Sequence, residues 1–319
     1  MKKLFFILLI IPFVSIAQSP LLTKIDQLID TKQFSKAEKI LSEALPDNSK
    51  DIELLERMGD IYGHQEKWEK AAIYYKKIKE LSPYNAEYHY KYGGVLGMKA
   101  LQNKFKAIGL IGDIKSSFIK AAELDSKHIE ARWALVELYM QLPGVLGGSK
   151  RKSIKYAEEL EKLSQVDGLL AKGYIYEYDD DPEEAERFYK KAISVGGSVT
   201  CYQKLTDLYL AKMNSPDKAI ANLDETYKKH QRNALHYQIG KISADYNIEL
   251  DRGIKCLEKY IEFYRVSDGV PLEWAYYRLA KIYRLKKDKS NAQLWIRKAL
   301  NEKANFKEAI KEQNLIEKL

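Results

Sequence analysis

The chain has 319 residues, 45% of them apolar and 31% charged, with 53 Lys and Arg against 45 Asp and Glu and a net charge of +8. The basic excess is dispersed among acids along helix faces and forms no clustered stripe, so no nucleic-acid partner is expected. Two cysteines are too few for a disulfide-built fold.

The start reads as an export signal. Residues 1–17, MKKLFFILLIIPFVSIA, carry Lys2 and Lys3, then an apolar run over 4–16, then the small-x-small site Ser15-Ile16-Ala17. The 13-residue run is shorter than the ~20 residues of a spanning helix. Cleavage after Ala17, a periplasmic or secreted chain, and no integral membrane segment in the mature protein are expected. The mature chain would have 302 residues and, without Lys2 and Lys3, a net charge of +6.

From there the sequence repeats. Residues 21–50 form an imperfect first unit, with Ala37, Leu41 and Ala44 on its second helix. Residues 51–85, DIELLERMGDIYGHQEKWEKAAIYYKKIKELSPYN, read as two amphipathic helices joined by a polar turn. From Gly59 the offsets are +3 to Tyr62, +12 to Ala71, +16 to Tyr75 and +24 to Pro83. Gly59 and Ala71 let two helix backbones approach, Tyr62 and Tyr75 fill the space beside that contact, and Pro83 stops the second helix. This pattern resembles the 34-residue tetratricopeptide repeat. The resemblance implies an all-α, right-handed α-solenoid of stacked antiparallel helix pairs, because one pair cannot bury its apolar face alone.

The later units follow the same register. Residues 86–128 place Gly93 and Phe118 25 residues apart instead of 16, so nine extra residues are expected to lengthen both helices. In residues 129–165 the stretch 142–153, LPGVLGGSKRKS, is an irregular loop, with Ser149 as the cap of the next helix. It does not read as a phosphate loop, which needs G-x-x-x-x-G-K-[ST] after a strand; the readings left are a structural loop and a partner-contact loop. Residues 166–199 repeat the offsets from Gly173 to Tyr176, Ala185 and Tyr189, with Pro182 at a helix start. Residues 200–232 carry Leu205, Tyr209 and Ala219, residues 233–269 carry Gly240, Gly253 and Leu257, and residues 271–305 carry Ala280, Tyr283, Ala292 and Ile296. About eight pairs span 18–305, and 306–319 is a charged amphipathic helix placed to cap the last apolar face. Cys201 and Cys256 fall in different pairs and serve as small buried residues, so no disulfide is expected.

The resemblance further implies that the first helix of each pair lines a concave groove for a partner segment. The inward positions lie six and three before the small residue and one, four and five after it. Applied here, they give as partner-binding candidates Glu56, Asp60, Tyr90, Trp133, Tyr174, Tyr178, Tyr237, Lys241, Tyr277, Lys281 and Arg284. The groove is expected to be acidic toward the N-terminus, aromatic in the middle and basic toward the C-terminus. The alternative for each tyrosine is packing between repeats. The lysine–asparagine clamp by which some relatives hold a terminal carboxylate does not recur.

No H-E-x-x-H helix, G-x-S-x-G elbow or metal-ligand spacing occurs. The expectation is therefore a non-enzymatic scaffold with a protein or peptide partner, no cofactor and no metal. Its rivals are a chaperone-like envelope assembly factor, a self-associating structural part, and an enzyme with an unrecognised site in the groove.

Overall fold

The computed structural model describes residues 20–45, 49–102 and 104–319. The expected signal segment, residues 1–17, lies outside the described residues. Among those described there are seventeen α-helices and no strand. They fall into two compact units, Met1–Leu135 and Val136–Leu319.

The first unit holds α1 (Pro20–Asp30), α2 (Phe34–Ala44), α3 (Ile52–His64), α4 (Trp68–Leu81), α5 (Ala86–Gln102), α6 (Lys104–Leu124) and the start of α7 (Ile129–Gln141). The second holds the end of α7, then α8 (Lys150–Leu163), α9 (Gln165–Tyr178), α10 (Pro182–Val195), α11 (Val199–Ala211), α12 (Pro216–His230), α13 (Ala234–Tyr246), α14 (Leu250–Glu262), α15 (Leu272–Leu285), α16 (Lys289–Glu302) and α17 (Lys307–Glu317). Within each unit consecutive helices pack as antiparallel pairs, and each pair packs on the next.

The repeat spacing has a direct steric cause. A Cβ on Gly59 would lie 2.7 Å from the Tyr75 ring, one on Gly173 2.3 Å from the Tyr189 ring, and one on Gly240 2.3 Å from Leu257. The missing side chain on the first helix is the space that the large side chain of the second one fills. Where the first position is larger, the second shrinks. Val136 faces Ser153, whose hydroxyl donates to the Val136 carbonyl at 2.9 Å, and Thr206 faces Asn222, whose amide donates to the Thr206 hydroxyl at 2.8 Å. Total volume at the crossing is shared between the two positions, as close packing demands.

Turns inside the pairs are closed by non-glycine residues in the left-handed region, including Glu66, Asp180 and Lys287. The following N–H groups bond the carbonyls of Tyr62, Tyr176 and Tyr283, satisfying helix-end acceptors. Successive pairs are tied by tyrosine hydroxyls: Tyr62 donates to Glu38 at 2.9 Å and Tyr209 to Glu186 at 2.8 Å.

The third pair departs from the rule as expected. The extra residues lengthen helices rather than a loop, giving α5 17 residues and α6 21. The stretch after α7 forms a short 3-10 turn at Gly144–Leu146, and the Ser149 side chain caps α8 by accepting from Lys152 N–H. Pro182 opens α10, with the Asp181 carboxylate as cap. At the C-terminal end, α17 places Ala309, Glu312 and Ile316 against α15 and α16, beside buried Phe306. Cys201 and Cys256 are both free and buried.

Candidate functional site

The inward faces of the first helices differ between the two units, and the difference begins with charge. In the first unit Glu56 and Asp60 on α3 do not stand free. Both hold the Lys91 ammonium of α5, at 2.5 and 3.0 Å, and Asp60 also accepts from the Tyr75 hydroxyl at 2.7 Å. Burial works against the charged Lys91, and the two carboxylates more than offset it, so its pKa is raised. Tyr90 is half-buried, its ring 5.9 Å from that of Phe118 and 5.1 Å from that of His128. Trp133 is half-buried on α7.

In the second unit, α9 presents Tyr174 and Tyr178, with rings 6.0 Å apart. The Tyr174 hydroxyl accepts from Gln141 at 3.2 Å, and Tyr178 is half exposed. On α15, Tyr277, Lys281 and Arg284 share one face. Tyr277 packs on Phe306, Lys281 pairs with Asp245 at 2.8 Å, and Arg284 pairs with buried Glu312 of α17. The basic end expected from the sequence is therefore largely neutralised from neighbouring helices. These pairs join residues about one repeat apart, 31 to 36 positions along the chain for α1–α3, α3–α5 and α13–α15.

A concavity lies in the second unit, between α11 and α13. It encloses about 620 Å³. Helix α11 contributes Gln203, Thr206, Asp207 and Leu210; helix α13 contributes Ala234, Tyr237, Gln238, Lys241, Asp245 and Tyr246. Asp268 and Val270, on the connection before α15, close one side. The side-chain spacing of three and four places these residues along one face of each helix.

Most of the acids in this cavity are already engaged. Asp245 binds Lys281 and Arg278, and Asp268 accepts from Asn233 and from the Arg265 N–H. Among the described residues, Asp207 accepts from Gln203 of its own helix alone, at 2.8 Å. Lys241 is exposed and, among the described residues, has no ion pair. Tyr237 is only 6% exposed and packs on the tilted ring of Tyr260, centroids 5.3 Å apart, so it forms floor rather than wall. Burial raises the Tyr237 phenol pKa, with the neighbouring Arg278 cation opposing. The arrangement offers amides and hydroxyls in both donor and acceptor roles, one unpaired cation and one lightly held carboxylate. It suits a hydrogen-bonding segment of chain.

Of the sequence candidates, Tyr237 and Lys241 are brought into this cavity, while Glu56, Asp60, Tyr90 and Trp133 lie in the other unit. Gln203, Asp207, Gln238, Asp245 and Tyr246 escaped the sequence reading. A signal for three of them was present: Asp245 lies five after Gly240, an inward position. Thr206 takes the place of the small residue in the sixth unit, three before Tyr209, and Gln203 and Asp207 sit three before and one after it. The offsets were not applied around Thr206. Among the described residues no group of three His, Cys, Asp or Glu side chains is placed to hold a metal ion.

A tetratricopeptide-repeat family model matches residues 166–195 and 275–306, the α9–α10 and α15–α16 pairs. No curated protein matches the chain significantly. Among solved structures, a tetratricopeptide-repeat protein from Parabacteroides merdae is 17% identical, with a TM-score of 0.50 over 93% of this chain and 97% of that one. A thermophilic tetratricopeptide-repeat protein from Thermus thermophilus is 14% identical, with a TM-score of 0.44 over 66% of this chain and 99% of that one.

Proposed function

We propose, from the premise that this chain is a tetratricopeptide-repeat protein, that it is a non-catalytic scaffold holding an extended segment of a protein partner in the cavity between α11 and α13. The observation that carries the reading is the lining of that cavity. Two adjacent first helices present Gln203 and Gln238 amides beside the unpaired Lys241, above an aromatic floor at Tyr237. Side-chain amides pair with the N–H and C=O groups of an extended backbone, and a single cation selects for an acidic residue in the segment. Export to a periplasmic or extracellular site is part of the proposal. It rests on residues 1–17, and the mass of the N-terminal peptide isolated from the source cells tests it: an intact Met1 end would end that part.

The test of the site uses Gln203→Ala with Lys241→Ala, two changes on the cavity wall. The unaltered chain and the double variant serve as baits in an extract of the source organism. The recovered partner is then titrated with each. Loss of binding by a variant of unchanged helicity supports the cavity. Equal binding by both moves the partner elsewhere. Turnover of a small molecule that survives purification and is lost on the same substitution would favour an enzyme instead.

A further inference from the structure

The α5–α6 pair breaks a rule that the rest of the first unit keeps. Helices α3 and α4 have 13 and 14 residues; α5 and α6 have 17 and 21. Gly93 meets Phe118 across 25 residues where Gly59 meets Tyr75 across 16. Nine residues shared between two helices extend the pair by roughly 7 Å at 1.5 Å per residue. An extension with nothing to cover it is ordinarily polar. This one is not. Leu101 is 67% exposed, Ile108 63% and Met98 40%. Gly94, Gly97, Gly109 and Gly112 lie in the same stretch, and among the described residues a Cβ at any of them would meet nothing within 4 Å beyond its chain neighbours and its own helix backbone. Interior glycine weakens a helix relative to alanine, and here no close approach explains it. The tip thus gives up helix stability and exposes apolar surface at once, a local conflict that marks a contact surface.

Charge identifies what it contacts. Between Glu87 and Asp113 there is no acidic residue. Lys91, the first cation in that interval, is held by Glu56 and Asp60. The sequence adds Lys99, Lys104 and Lys106 within eight residues of this stretch. Two copies meeting tip to tip would bring like charges together. No helix among the described residues is long and apolar enough to cross a membrane, so the tip is not a span. Exposed aliphatic side chains interleaved with lysine, at the end of a lengthened helix pair, match the boundary between anionic headgroups and acyl chains.

We propose that the α5–α6 tip is a peripheral membrane contact, with Met98, Leu101 and Ile108 entering the interface of an anionic bilayer and the lysine charge of residues 99–106 drawing it there. This surface is independent of the α11–α13 cavity.

An environment-sensitive fluorophore on Leu101→Cys in the full chain reads the contact locally, whatever the N-terminal segment does. The same label on Ile73→Cys of α4, 65% exposed in the same unit, is the control. The two native cysteines are buried, and the unlabelled parent reports any residual reaction. With vesicles of phosphatidylglycerol mixed with phosphatidylcholine, the residue-101 label shifts to the blue and the residue-73 label does not. Changing Lys99, Lys104 and Lys106 together to glutamate raises the vesicle concentration for half the shift by about tenfold or more. No shift at 101, an equal shift at 73, or an equal shift on phosphatidylcholine alone overturns the proposal. So does a vesicle-free shift that grows with protein concentration, which would assign the tip to self-association.

Discussion

The α9–α10 and α11–α12 pairs use one spacing for two kinds of core. In the first, Gly173 leaves room that Tyr189 fills, and the Tyr189 hydroxyl reaches across to Glu177 at 2.7 Å. In the second, Thr206 and Asn222 occupy the same two places 16 residues apart, and the Asn222 amide bonds both the Thr206 hydroxyl and the Tyr202 carbonyl, each at 2.8 Å. The consequence appears on the inward face. The aromatic core binds a carboxylate on its own first helix, as Tyr75 also does with Asp60. The amide core spends its polarity inside the crossing and leaves Asp207 to the cavity. Core chemistry thus decides which inward acids remain available to a partner.

The largest expected effect comes from filling the aromatic crossing. Gly173→Leu forces Tyr189 out of its place and costs about 3 kcal/mol, read as a lowered urea midpoint. An unchanged midpoint would mean the two helices do not touch there. Next comes the amide crossing. Asn222→Leu leaves the Thr206 hydroxyl and Tyr202 carbonyl without their partner and costs about 1–3 kcal/mol.

The comparison sharpens when one crossing is converted into the other. Thr206→Gly with Asn222→Tyr rebuilds the aromatic form, with Asp207 related to position 206 as Asp60 is to Gly59. The double variant should lose at least ~0.5 kcal/mol less than the two single changes added together. Strict additivity would show that the two positions are not one contact.

A smaller difference is expected in alkali. Burial first, and then the bond to Glu177, push the Tyr189 phenol above its ordinary value of 10.0. The unfolded chain therefore ionises this group before the folded one does. Its stabilising contribution is complete below about pH 10 and is lost as pH rises beyond that. Tyr189→Phe should flatten this part of the pH–stability curve, while Asn222→Leu should leave it unchanged. Smallest of all, Lys241→Ala should alter stability by no more than about 0.5 kcal/mol, while weakening the partner that the cavity holds.

Much of this architecture was legible in the chain because its causes are local. The small residue at Gly59 or Gly173, the tyrosine 16 positions on, the cap at Ser149 and the start at Pro182 act within one helix pair. The nine residues added before Phe118 contain no strong breaker at their centre, and they read correctly as longer helices. Charge was harder. Glu56, Asp60, Lys281 and Arg284 read as free groove charges, yet each meets a partner on a neighbouring helix. Gln203 and Asp207 were missed because the offsets were not applied around Thr206, a polar residue in the small-residue place.

By itself, then, the sequence determined that helices form, where they begin and end, and which residues meet inside each pair. Those follow from backbone propensity, capping and volume over a few turns of chain. Only the tertiary structure decided which charges are spent. A carboxylate and an ammonium one repeat apart, such as Asp245 and Lys281, come within 2.8 Å only when successive pairs stack. It also decided that Tyr237 is floor while Lys241 is free, since four residues on one helix face cross from the packed edge to the open one. Propensity is summed along the chain, but pairing and exposure depend on distances through space that the stacking of whole repeats sets.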